Sequence, residues 1–600
     1  MEIPMSESTN KKTSALSDTQ NVYSSPYEEV NGCLCKVHIT KQGNFYVRLC
    51  NFAPKIVSEL TIDDGTELTR KYRIGGVDEY GRPLPEFEID ATELEKMDWL
   101  HNHLDASLDL EIIPQVEKHV RHAMKSTARF ATKKSIFTFT GWKQVDGKWE
   151  YLMPGVGVYD VQLQGKQKRY FLDADVKDFD YAELAGFFRL DLIPMEITYP
   201  CLALVFLSPL NEFLRQIGHE PKFILTLLGR TGSMKSTVAA LMTSFFGSFS
   251  ATDLPMSFRD TANSITHSAF SLKDVLTCVD DYHPTGRKES ENMKAIMQTV
   301  ARGYGDRAAR NRLTPEITLR EARPPQGNVI VTAEFAPDIG ESGTARLFCI
   351  EMKPGQIDLP HLTELQERAA KGQLTHMMYA YTEWLKKTYL CDDDRYARFL
   401  EMLAEEYQNE RACWRATLRE NKVKFHDRIP DTLACLQLGF NYVMGFMLHS
   451  GVLMQRDVDE ITERFNTIMF NHATHQSEAV EQDRPTHIFI RKFLAMLDCG
   501  QVCVVPASEG DGILPSGCLG YEDEEYYYLF FESTQRAVKK FCDDQGEGFT
   551  ISTKALGKAL ADEGFINTDT GENTRTMRFG SKTKRVLLLQ KDMVEKVMGI

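Results

Sequence analysis

Lys235, Ser236 and Thr237 stand directly after a short glycine-containing loop in GRTGSMKST, residues 229 to 237. An ammonium followed by two hydroxyls at that place suits the binding of a polyphosphate. Backbone N–H groups of Gly229, Arg230, Thr231, Gly232, Ser233 and Met234, with the helix start at Lys235 to Thr237, would cradle the β-phosphate of a nucleotide. Lys235 would reach the β- and γ-phosphates, and the Ser236 hydroxyl would ligate Mg2+. ATP and Mg2+ are therefore the expected ligands. The full pattern G-x-x-x-x-G-K-[ST] asks for glycine just before the lysine, and Met234 stands there instead, with Gly232 two residues earlier. A plain surface turn between strand and helix is the alternative for this loop.

Further residues fit phosphoryl chemistry. The run VLTCVDDY, Val275 to Tyr282, is apolar and ends in two carboxylates, 45 residues after Lys235. Asp280 would hold Mg2+ through water, and Asp281 would polarise the attacking water, in a place where many ATPases carry glutamate. A plain acidic loop is the alternative. A third apolar run, NVIVTAE, ends in polar Thr332 and Glu334. Thr332 is the first choice for orienting the lytic water or sensing the γ-phosphate, with Glu334 next. Arg346, in TARLFCIEM, is placed to reach a neighbouring subunit's site and neutralise charge in phosphoryl transfer. A surface salt bridge is the plainer role for it. Between the aspartates and Thr332, Arg302, Arg307, Arg310, Arg312, Arg320 and Arg323 face only three acids around Thr314-Pro315-Glu316. A basic β-hairpin there would grip DNA phosphates, Arg310 and Arg312 foremost, and a solvated charged loop is the other option.

These residues need a scaffold of strand, loop and helix. Phe223 to Leu228 reads as a buried strand, and the residues after Lys235 as an apolar, Ala-rich helix. The expected fold class is multidomain α/β, with a P-loop ATPase core over 201–360. A Ser-, Thr-, Asn- and Lys-rich tail, 1–27, reads as disordered. Residues 28–134 read as a β-rich domain with helices, and 135–200 as a second β-rich domain with an Asp146-Gly147 hairpin turn. Residues 361–484 read as a helical lid, in which Arg428 opens one helix.

The last segment, 485–600, has a helix, a helix capped by Ser552 or Thr553, and then two strands with a basic tip. That order describes a winged helix. Its wing carries Arg575, Arg578, Lys582, Lys584 and Arg585, the candidates for DNA contact. From 533 to 600 there are 12 basic and 9 acidic residues on a chain of net charge −15, so the sign reverses locally. A protein-binding winged helix is the competing use.

Six hundred residues suit several domains, and the 42% hydrophobic and 26% charged fractions are those of a soluble globular protein. Thirteen cysteines without a C-x-x-C framework point to a reducing, cytoplasmic setting. No secretory signal is read at the N-terminus. The apolar stretch Leu433 to Met454 is broken by Gln437, Asn441 and His449, and reads as a buried helix with no membrane role. His472 and His475 are three apart, as metal ligands on a helix often are, but a solvated helix face is the preferred reading.

GRTGSMKST, KDVLTCVDDYHPTG, REARPPQGNVIVTAE and GTARL together resemble an ATPase family encoded on bacterial plasmids, phages and integrated elements. That family includes the Cch-type, MCM-like self-loading helicases of staphylococcal cassette elements. The GW…G…Y…PG stretch at 141–155 resembles the domain that precedes its ATPase. The resemblance implies an AAA+ core, a hexameric ring and ATP-driven DNA unwinding. It also implies that Lys235 and Ser236 are the phosphate-loop residues, Asp280 and Asp281 the Mg2+ and catalytic acids, and Arg346 the arginine finger. The expected protein is a ring-forming DNA helicase or translocase acting on single-stranded or forked DNA. An ATP-switch initiator that does not unwind and a remodelling ATPase without DNA are the competing classes.

Overall fold

The computed structural model describes residues 21–175, 193–284, 287–309, 312–313, 319–510, 512–545, 547–566 and 572–598. The chain forms two compact units. One holds the residues up to Thr140 and then Leu152–Lys168, and the other holds Gly141–Tyr151 and everything from Arg169.

The first unit has a three-stranded antiparallel sheet and a five-stranded mixed sheet, with Phe52–Asp63 central in the latter. Leu34, Phe52, Ile56 and Ile74 pack with Trp99, Val120 and Met124 from its helices. The chain joins this core earlier than the expected tail, 1–27, would end. Tyr23 and Tyr27 are buried in it, and the Tyr23 hydroxyl donates to the Pro54 carbonyl at 2.9 Å. Two aromatic rings removed from water outweigh the polar composition around them.

The stretch 135–200, expected as one domain, is divided between the units. Thr132–Phe137 and Asp160–Val161 pair in the first unit's sheet, whereas the hairpin that begins at Gly141 belongs, up to Tyr151, to the second. Asp146 and Gly147 both take left-handed φ, 51° and 76°, as a tight hairpin turn requires. Trp142 fixes the hairpin in the second unit. Its indole N–H donates to the Pro209 carbonyl at 2.7 Å, and its backbone N–H to Asp274 Oδ2 at 2.9 Å.

The second unit is built on a parallel sheet of five strands: β1 (Ile224–Leu228), β2 (Met256–Ser257), β3 (Leu276–Tyr282), β4 (Asn328–Ala333) and β5 (Leu347–Glu351). Their order across the sheet is β2-β3-β4-β1-β5, and every pairing is parallel. Strands covered on both faces must be apolar throughout, which explains the unbroken runs in the sequence. Helix α1 (Lys235–Thr243) follows β1 through the loop, and helix α2 (Arg287–Asp306) follows β3.

Five helices then run from Leu359 to Gln482. One of them, Arg428–His449, lies against Met195–Leu207 so closely that a Cβ on Gly439 would come within 2.1 Å of the Ala203 carbonyl oxygen. The helical run Met195–Gln216 is long and apolar enough to cross a bilayer, but 94% of its apolar window is buried inside the protein. The C-terminal part has helices Phe531–Asp544 and Thr553–Asp562, the second capped by Ser552 Oγ accepting from the Ala555 N–H. A hairpin of Arg575–Phe579 with Lys582–Gln590 follows.

Candidate nucleotide-binding site

Parallel strands all point their C-terminal ends to one edge, and loops gathered there are where such sheets bind ligands. The loop after β1 begins at Gly229, where a Cβ would come within 2.2 Å of the Met352 carbonyl oxygen, so only glycine fits. Gly232 and Met234 both take left-handed φ, 88° and 64°. Met234 thus adopts the conformation that the usual glycine would adopt, at a cost of about 1–2 kcal/mol. The Lys235 ammonium folds back onto the loop, donating to the Gly229 carbonyl at 2.5 Å and to that of Arg230 at 3.3 Å. Partial burial lowers the Lys235 pKa, and Glu334, Asp280 and Asp281 oppose that shift.

The two aspartates sit in a β-bulge. Val279 pairs with Val331 and Tyr282 with Ala333, so Asp280 and Asp281 together oppose Thr332. The buried Thr332 hydroxyl fills the gap in the ladder. It donates to Asp280 Oδ1 at 2.6 Å and accepts from the Asp281 N–H at 2.9 Å. Ser236 Oγ donates to the same Asp280 oxygen at 2.8 Å. Lys235 and Ser236 at the head of α1, the aspartates of β3 and Thr332 of β4 are therefore one constellation. All of them but Asp280 border a cleft of about 290 Å3 that Thr231, Gly232, Met234, Thr237, His283 and Glu334 also line.

Glu334 is held against the loop. One of its carboxylate oxygens accepts from the Thr231 N–H at 3.2 Å and from the Thr231 hydroxyl at 3.1 Å. The other pairs with His283 Nδ1. The two Thr231 bonds lower the Glu334 pKa. Asp281 instead faces Arg259 across 3.4 Å. The sequence reading passed over His283 and Arg259. His283 follows the aspartates by two residues, so chain proximity was its one available signal.

Arg346 lies elsewhere. It precedes β5 at the N-terminal edge of the sheet, and its carbonyl accepts from the Ile224 N–H at 2.9 Å, at the start of β1. Its guanidinium grips Asp306 at 2.8 and 2.9 Å, and Arg428 reaches the same carboxylate at 2.9 Å. Arg428 is thus held at Asp306, and no residue of 361–484 lines the cleft among the described residues. Of the pair read as a solvated helix face, His475 is exposed, whereas His472 is half-buried with its Nε2 on the Glu196 carbonyl at 2.7 Å.

Among the candidates for DNA contact, Arg310 lies outside the described residues. Arg312 begins a short antiparallel pair, Arg312–Leu313 with Leu319–Arg320. Arg307 is withdrawn from any basic surface, because its buried guanidinium bonds the carbonyls of Pro221 and Gly327 at 2.7 Å. In the C-terminal hairpin Arg575, Arg578, Lys582, Lys584 and Arg585 all lie on the paired strands. Lys582 donates to the Gly512 carbonyl at 3.0 Å, Arg578 to that of Gly580 at 3.0 Å, and Arg585 pairs with Glu572 at 2.7 Å. Glu572 stands just ahead of the hairpin.

The mixed α/β fold has a counterpart among solved structures. The solved structure of the SCCmec type IV Cch active helicase superposes with a TM-score of 0.58 over 96% of this chain and 99% of that one, at 12% identity. The apo structure of the NrS-1 C-terminal region gives 0.30 over 88% and 95%, at 10% identity. A JCV helicase gives 0.18 over 33% and 59%, at 15% identity. No protein-family model and no curated protein matches the sequence.

Proposed function

We propose that this chain is a cytoplasmic AAA+ ATPase, a DNA helicase or translocase that works as a hexameric ring in the replication of a mobile genetic element. One observation carries the proposal. Ser236 and Thr332 converge on Asp280 Oδ1 beside Lys235, in a cleft at the C-terminal edge of a parallel sheet. The helicase-like fold agrees with it.

ATP would lay its phosphates along the loop, displacing the Lys235 ammonium from the Gly229 carbonyl onto the β- and γ-phosphates. The hydroxyl of Ser236 and the carboxylate of Asp280 are hard oxygen donors already 2.8 Å apart, and they fit Mg2+. A Mg2+ held by them would supply positive charge against the bound phosphates. Thr332 holds Asp280 in place, and Asp281 accepts the proton of the attacking water. Arg346 of the neighbouring subunit would leave Asp306 to meet charge developing on the γ-phosphate.

The C-terminal helices and hairpin act as a winged helix on DNA. Exposed Lys554 and Lys558, one turn apart, join the hairpin's Arg578 and Lys584 there. The basic hairpin of Arg310 and Arg312 would follow DNA as the ring turns over ATP.

Strand displacement on a forked DNA tests this, comparing the wild type with Lys235→Ala. Unwinding by the wild type alone is the expected result. Hydrolysis without unwinding would move the protein to the ATP-switch initiators, and no hydrolysis at all would overturn the proposal.

A further inference from the structure

The antiparallel strands Cys33–Thr40 and Gly43–Cys50 begin in the first unit's core and leave it as a two-stranded ribbon. Leu34, Cys35 and Val37 are buried at its base with Leu49 and Cys50, whereas every residue from His38 to Tyr46 is exposed. An exposed ribbon ordinarily carries polar groups on both faces. This one does not. Phe45 lies opposite His38 on one face, and Tyr46 shares the other face with Ile39. Ile39, Phe45 and Tyr46 are 77%, 50% and 42% exposed, so neither face has a core to cover it.

The charge is as one-sided as the exposure. From Asn31 to Ser58 the sequence has four Lys or Arg and no Asp or Glu, within a chain of net charge −15. At the base, Arg48 is held by Glu111 and Glu79, and Lys36 lies 3.3 Å from His119 Nε2. The free end keeps Lys41, beside the turn. Flat rings with an unopposed ammonium complement a polyanion whose bases are unpaired. We propose that this ribbon binds single-stranded nucleic acid, with bases stacked on Phe45, Tyr46 and the His38 ring and a phosphate at Lys41. The proposal rests on the reading of the chain as a DNA-acting protein and gives the first unit its contact.

The test is fluorescence anisotropy of a labelled oligothymidine titrated with the full chain, comparing the wild type with Phe45→Ala/Tyr46→Ala. The double variant should bind at least tenfold more weakly, as loss of base stacking requires. Its DNA-free ATP hydrolysis should stay at the wild-type rate, which shows that it folds. Phe45→Tyr/Tyr46→Phe, which keeps both rings, should restore the affinity. Lys41→Ala should lower the slope of affinity against salt by about one. Equal affinity of the double variant and the wild type would overturn the ribbon and leave the DNA reading standing. If that equality came with altered sedimentation, the ribbon would be a contact between copies, and the proposal would again fail. A wild type that binds neither oligothymidine nor forked duplex would remove the DNA reading itself.

Discussion

Thr332 spends one hydroxyl on two partners, and both lie on the bulge that carries the carboxylates. Removing that hydroxyl leaves the Asp281 N–H without its acceptor, at about 1–3 kcal/mol, and frees Asp280 to turn. Thr332→Val should therefore lower turnover at least tenfold while KM for ATP moves less, and Thr332→Ser should recover most of the rate. Steady-state hydrolysis of the three proteins checks this, and equal turnover in Val and wild type would refute it. The choice of Thr332 was legible because a polar residue ending an apolar strand needs a reason to be there. The bulge was not legible. It depends on Val279 and Tyr282 pairing with Val331 and Ala333 across the sheet, a long-range register that no local pattern encodes. The contact of Glu334 with Thr231 was not legible for the same cause, since the two lie 103 residues apart.

At the scale of elements, the hairpin that starts at Gly141 is tied to the core through a buried acid. Asp274 is fully buried, and burial pushes its pKa up to about 6 against the attraction of Lys273 and Arg215. An acid whose folded pKa is raised binds its proton more tightly folded than unfolded. Stability from this group is then fully present below pH 4 and falls as the pH rises to about 6, by about 3 kcal/mol in all. Asp274→Asn should flatten that part of the stability–pH curve, as thermal melts between pH 4 and 7 would show. An unchanged slope would mean that other groups set it. The strands and helices themselves were legible from apolar runs and turn residues such as Asp146-Gly147. Their grouping was not: the hairpin reads as a continuation of the preceding strands, and only the fit of Trp142 against Pro209 and Asp274 assigns it to the other unit.

For the whole molecule, the helices between Leu359 and Gln482 set Gly439 against Ala203 of the helix Met195–Leu207 and line no part of the cleft among the described residues. Composition announces helices but not the face they cover. The chain also passes between the two units at Thr140–Gly141, at Tyr151–Leu152 and at Lys168–Arg169. Limited proteolysis should accordingly leave both units whole after no single cut. A fragment from Arg169 onward should melt well below one from Gly141 onward, because it lacks Trp142 and leaves Asp274 without the Trp142 N–H. Equal melting of the two fragments would show the hairpin to be dispensable.

Three crossings also bear on how such a chain can change by recombination. A single breakpoint can exchange a domain that is one continuous segment, and here no breakpoint between 140 and 169 leaves both units whole. The two units must be inherited together, so a nucleic-acid grip in the first and a motor in the second would be passed on as one object.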